Sequence, residues 1–142
     1  MLGYFPEPYP DELFYSICAR LWTTMASAHW RSFNKDLFGT TKRILHIEMP
    51  SHLGDVVRQL PPEFPLSFDQ LVDGHTLAPY YMPFMPSDRA LRLRREMYGS
   101  ELNTAPLKSA ISRTRKVSPL WLKYCQECAV ADVSKFGEEY LH

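Results

Sequence analysis

Two cysteines separated by two residues, in Cys125-Gln126-Glu127-Cys128, are the most chemically capable feature of this sequence. Thiolates at this spacing can hold one tetrahedral zinc ion from a tight turn, and Lys123 nearby favours the thiolate form. A dithiol redox couple uses the same spacing but wants a strand-to-helix junction in a βαβ setting, which the flanking sequence does not suggest. Two cysteines without a joint role are the third reading. A structural zinc ion takes four ligands. His142 follows Cys128 at about 14 residues, a loose fit to a finger loop, whereas His29, His46, His52 and His75 fall on or beside expected helices. The remaining ligands are therefore expected from His142 or from beyond the end of this chain.

The second candidate chemistry is anion binding. Arg89, Arg92 and Arg95 recur at i, i+3 and i+6 on an expected helix, and Arg113, Arg115 and Lys116 form a second cluster. Exposed guanidinium forks suit phosphates. A solvated helix face, or a surface for an acidic protein, is the plainer alternative. From Arg89 to Lys123 there are nine Lys and Arg against Glu96 and Glu101, although the chain as a whole has zero net charge. Such asymmetry points to a polyanionic partner for the basic part; the overall balance argues against a strong autonomous nucleic-acid binder.

No catalytic constellation accompanies these groups, so the sequence is not expected to be an enzyme. Cys18 sits on an apolar helical stripe, where a cysteine acts as a small hydrophobe. There is no glycine-rich phosphate loop, and Asp11-Glu12 and Glu138-Glu139 are adjacent residues that point apart.

The elements that must position these residues read as mainly helical. Residues 1–10 hold three prolines and cannot be helix. They form an extended arm whose rings, Tyr4, Phe5 and Tyr9, can either dock on a partner or pack back over the core. Asp11 is placed to cap a helix over about 11–25, with Leu13, Phe14, Ile17, Cys18, Leu21, Trp22 and Met25 on one stripe. A second helix over about 27–38 should end at Gly39. Ser51 is expected to cap a third, which Pro61-Pro62 ends. Ser67 and Gln70 look like a capping box for a fourth. Residues 76–86 read as a buried irregular connector, and Ser87 as the cap of a basic helix over about 88–98, closed by Gly99. A short helix is expected near Pro106–Ser112. Trp121 to Cys125 reads as a short strand leading into the cysteine turn. The expected divisions are the arm 1–10, a helical domain 11–100, a basic connector 101–120 and an incomplete zinc segment 121–142.

With 142 residues, 45% hydrophobic content and no long apolar run, the chain suits one cored domain and no membrane span. The three cysteines do not make a disulfide framework, so a reducing, cytoplasmic setting is expected.

Several blocks together resemble the TniQ/TnsD family. They are Phe5-Pro6-Glu7-Pro8-Tyr9-Pro10-Asp11-Glu12-Leu13-Phe14-Tyr15-Ser16 with Ala19-Arg20, Pro50-Ser51-His52-Leu53-Gly54, and His75-Thr76-Leu77-Ala78-Pro79-Tyr80-Tyr81 with Pro83-Phe84. Tyr124-Cys125 with Cys128, then Gly137, Tyr140 and His142, complete the set in order. The resemblance implies a bacterial, nucleoid-associated target-selection adaptor of a heteromeric DNA transposon. Such a protein links double-stranded target DNA, or a CRISPR effector already on DNA, to an AAA+ regulator ATPase. It implies a helical domain with helix-turn-helix character followed by the start of a zinc-ribbon-like segment. Within that segment it carries zinc ligation only onto Cys125 and Cys128. His142 matches a position that is not usually a ligand, and the family's second pair, a Cys-x-x-His, is expected further on. Gln126 stands where a proline is common.

Overall fold

A computed structural model describes residues 2–26, 29–41, 45–62, 64, 66–99 and 124–138. The chain divides into two compact units, Met1–Leu102 and Asn103–His142. Among the described residues there are seven α-helices and one 3-10 turn, and no strand.

The first unit starts with α1 (Phe14–Thr24), which buries Phe14, Ile17, Cys18 and Leu21 of the apolar stripe expected from the sequence, while Leu13 and Trp22 are half-buried and Met25, past the last turn, is exposed. Its start is later than the capping rule suggests. Asp11 takes φ 60 in a turn closed by the Glu12 N–H donating to the Tyr9 carbonyl at 3.1 Å. Pro10 before a residue of positive φ is the pattern of a type II turn, so the turn claims Asp11 and the helix begins after Leu13. Helix α2 (Trp30–Phe38) ends on Gly39 at φ 70, a left-handed conformation that glycine adopts without steric cost. Trp22 of α1 meets Trp30 and Phe33 of α2 at ring-centroid distances of 5.4 and 5.2 Å.

Helix α3 (Leu53–Gln59) is the hub, packing against α2, α4 and α6. Its cap is His52 at φ 67, in place of Ser51. Helix α4 (Phe68–His75) has the expected capping box: Gln70 N–H donates to Ser67 Oγ and Ser67 N–H to Gln70 Oε1. Residues 78–84 correct the irregular connector. They wind into α5 (Ala78–Tyr81) and a 3-10 turn (Met82–Phe84). Nor is this stretch buried: Tyr80 and Phe84 are 68% and 85% exposed. Thr76 starts it by accepting the Ala78 N–H, and Pro79 in the first turn is compatible with a helix start. Helix α6 (Ser87–Tyr98) follows with Pro86 as its cap and ends at Gly99. It buries Leu93, Glu96 and Met97.

In the second unit α7 (Gln126–Phe136) is described. Of the strand expected over Trp121 to Cys125, Tyr124 and Cys125 precede this helix and belong to no strand; Trp121, Leu122 and Lys123 lie outside the described residues, as does the helix expected near Pro106–Ser112. Residues 126–136 contain neither Pro nor Gly. Glu127 in the first turn and Lys135 in the last complement the helix dipole. The cysteine pair thus opens a helix, and the described residues do not show the expected zinc-ribbon-like segment.

Candidate functional site

The basic helix presents its arginines as the spacing suggests. Arg89, Arg92 and Arg95 are exposed. Among the described residues the ion pairs involve Arg20, His52, Arg58 and Arg94, and none of these three. Arg94, on the neighbouring flank, is different. It donates to both oxygens of Asp73 at 2.8 and 2.9 Å and to Asp69 at 2.8 Å, spanning α6 to α4. Those bonds push the guanidinium further toward its charged form and hold the Asp73 carboxyl below its ordinary value. Arg94 is therefore a structural clamp. Arg113, Arg115 and Lys116, the other half of the basic patch, lie outside the described residues.

Cys125 is the cap of α7 and Cys128 lies in its first turn; both are exposed free thiols. Hydrogen bonds from the Cys128 amide and thiol and from the Glu127 amide hold the Cys125 thiol below its ordinary value. The same thiol contact and the Cys125 charge push Cys128 up. Two sulfurs on one turn make half of a tetrahedral zinc shell. Among the described residues no cluster of three His, Cys, Asp or Glu surrounds them. His142 lies outside the described residues.

The three aromatics of the arm have separate fates. Phe5 is buried, edge-on to Phe64 at 5.4 Å. Tyr9 carries the Arg20 guanidinium 4.3 Å above its ring. Tyr4 is 51% exposed. The arm is also tied at its start, where Leu2 N–H donates to the Gln59 carbonyl at the end of α3.

What the sequence reading missed is the polar knot that holds the arm down. Glu12 accepts from Arg20 Nε and Nη2, from Ser16 Oγ and from the Tyr9 N–H, all between 2.7 and 2.9 Å. Arg20 donates to the Glu7 carbonyl at 2.6 Å. The His75 imidazole bonds the Glu12 carbonyl at 2.7 Å, joining α4 to the head of α1. Glu12 and Arg20 are both buried. A glutamate and an arginine eight residues apart, behind a proline-aromatic run, were the available signal. The block around His52 is structural too. Its Nδ1 meets Asp55 Oδ2 at 2.9 Å, and Asp55 also pairs with Arg58. A Cβ on Gly54 would lie 2.7 Å from the Tyr98 carbonyl oxygen. Cys18 is wholly buried, and burial followed by the Glu12 charge pushes its thiol well up, which suits a core residue and not a nucleophile.

No described helix is long and apolar enough to cross a membrane. The family described as TniQ matches residues 3–142. The chain is similar to the transposon Tn7 transposition protein TnsD of Escherichia coli, with 29% identity over 136 residues, 96% of this chain. It spans 27% of that protein's length.

Proposed function

The chain belongs to the TniQ family, and we propose that it serves DNA transposition as a non-catalytic target-site selection adaptor. In this role it links double-stranded target DNA, or a CRISPR effector seated on DNA, to the AAA+ regulator ATPase. The observation that carries the reading is the match to the TniQ family over residues 3–142, beside the similarity to the Tn7 transposition protein TnsD. The fold is consistent with it. The opening block, with Arg20 and His75, closes the arm onto the core, while Tyr4 and the α6 side chains Arg89, Arg92 and Arg95 are exposed.

A pull-down of the cognate ATPase by the full chain tests recruitment, with Tyr4→Ala as the arm variant. Removing residues 1–10 outright would take away buried Phe5 as well. Retention of the ATPase, weakened by Tyr4→Ala, is expected. No retention would refute recruitment by this chain, and undiminished retention by the variant would refute the role of the arm.

A second reading, a stand-alone DNA-binding domain with helix-turn-helix character, is favoured by the exposed row Arg89, Arg92 and Arg95, which forms no ion pair among the described residues and is extended in sequence by Arg113, Arg115 and Lys116. Each phosphate contact contributes about 0.9 to the slope of log affinity against log salt. Replacing Arg89, Arg92 and Arg95 by Ala should therefore flatten that slope by roughly 2–3. An unchanged slope would remove these side chains from the interface.

Zinc is part of the leading reading. Cys125 and Cys128 supply two ligands, and the others come from residues outside those described, His142 being a candidate. Metal analysis of the full chain should find zinc, and Cys125→Ser should lose it. Reversible disulfide cycling without zinc would instead support the redox couple.

A further inference from the structure

Next to the arginine row a groove of about 330 Å³ runs between α4 and α6, lined by Phe68, Asp69, Leu91, Arg94, Arg95 and Tyr98. Its α6 wall is one helix face, since Leu91, Arg94, Arg95 and Tyr98 fall at i, i+3, i+4 and i+7. Phe68 and Asp69 form the opposite wall at the start of α4. Leu91 and Tyr98 are 57% and 48% exposed, an apolar surface that a folded chain gains by covering.

The walls are held in place before anything binds. Phe68 meets Tyr98 edge-on at 5.1 Å, and the Arg94 guanidinium lies 5.9 Å above the Phe68 ring. Gly54 lets Tyr98 approach the backbone of α3 from the other side. Arg94 bridges the two helices through Asp69 and Asp73. A preformed groove orders little on binding.

Charge divides across the groove. On the α4 rim two carboxylates, Asp69 and Asp73, share the single Arg94 guanidinium, so that rim keeps a negative excess. On the α6 rim Arg95 and, beyond it, Arg92 are exposed and belong to no ion pair among the described residues. Asp88, in the first turn of α6, is the exposed acid of that helix, and Glu96 is buried. A nucleic acid presents phosphate everywhere. It would be repelled by the α4 rim and would leave the apolar walls uncovered. A polypeptide can carry an apolar anchor and a carboxylate at once.

We propose that this groove docks a segment of a partner protein that seats an apolar or aromatic side chain among Phe68, Leu91 and Tyr98 and sets an acidic residue on Arg95. The proposal rests on the adaptor reading only in taking the partner to be a component of the transposition machinery. Aromatic and aliphatic anchors in a pocket, with a charge at the rim, are what gives such contacts their affinity.

The test pans a random peptide display library on the full chain. Enrichment of sequences with an aromatic or aliphatic residue close to Asp or Glu is expected. A synthetic peptide from that pool should lose roughly tenfold or more in affinity against Leu91→Asp and against Arg95→Glu. Arg95→Lys should restore part of it. Arg31→Glu, an exposed change on α2, should leave it intact. All these side chains are exposed, and circular dichroism of each variant is the check that it is folded. Enrichment of basic sequences, no enrichment at all, or binding that ignores both groove variants would overturn the proposal. So would capture of duplex DNA that Arg95→Glu abolishes while no peptide binds. The adaptor reading is scored separately, by the pattern of transposition targets in cells. Peptide binding that depends on Leu91 and Arg95, with target choice unaltered in the same variants, upholds the groove and counts against the adaptor reading. Failed panning with the ATPase still retained does the reverse.

Discussion

Glu12 and Arg20 are the residues on which the N-terminal region turns. Removing one member of a buried ion pair leaves the other charged and desolvated, which costs about 3–5 kcal/mol. Arg20→Ala should therefore lower the unfolding free energy by about 3 kcal/mol in urea titration and expose the arm to proteolysis around Tyr4 and Tyr9. A loss below about 1 kcal/mol, the range of a surface pair, would show that the knot is not load-carrying. Asp73 offers a milder test in pH. Arg94 holds its carboxyl below the ordinary 3.8, so the native state binds the proton more weakly than the unfolded chain. The stabilisation is then fully present above the ordinary carboxylate range and fades as pH falls through 3.8 and below it. Asp73 is more than half exposed, and solvent screening limits the gain to about 0.5 kcal/mol. Comparing Arg94→Gln with the parent between neutral and acid pH should show a small difference that closes toward low pH. A difference that widens there would contradict the assignment.

At the level of elements, α3 and α6 depend on one missing side chain. Gly54 sits where an added Cβ would lie 2.7 Å from a backbone oxygen and 2.9 Å from the ring of Tyr98. The carbonyl is backbone and cannot swing aside as a side-chain tip can. Gly54→Ala should force the helices apart at a cost of about 1–3 kcal/mol, the usual range for overpacking. Because Tyr98 also lines the α4–α6 groove, the same change should loosen any ligand held there. Thermal unfolding of Gly54→Ala beside Gly74→Ala, where a Cβ meets nothing within 4 Å, separates crowding from the general effect of replacing a helical glycine. Equal behaviour of the two variants would dismiss the close approach. The cap of α4 is an ordinary one, and Ser67→Ala should cost about 1 kcal/mol.

For the whole molecule, two surfaces of the first unit carry the functional readings. Arg89, Arg92 and Arg95 suit phosphate, and the groove beside them suits an acidic, apolar segment. Arg95 belongs to both. Salt separates them, because phosphate binding falls steeply with ionic strength, while an anchor buried in an apolar groove is less affected. Peptide affinity for the full chain should accordingly change little over a salt range in which duplex binding falls by about tenfold or more. Parallel loss of both would place the two ligands on one electrostatic surface. The second unit contributes the cysteine pair, at the head of α7.

Much of this was written locally. The stripe on α1, the glycine after α2, the capping box of α4 and the exposed arginines of α6 follow from spacing, because periodicity and capping are properties of a few neighbouring residues. The cysteine pair was legible for the same reason. Its helical setting was missed because a two-residue spacing does not say whether turn or helix surrounds it. Asp11 was misread because two local rules competed, and the turn through Pro10 won. The functions of Glu12, Arg20, Gly54 and Arg94 were decided by tertiary structure alone. Each acts on a partner that the chain brings close only on folding: Arg20 on the arm, Gly54 on Tyr98, and Arg94 on Asp69 and Asp73 across two helices. Burial turns an unremarkable Glu-Arg spacing into a knot, and packing of α4 on α6 turns scattered Phe, Leu and Tyr into a groove.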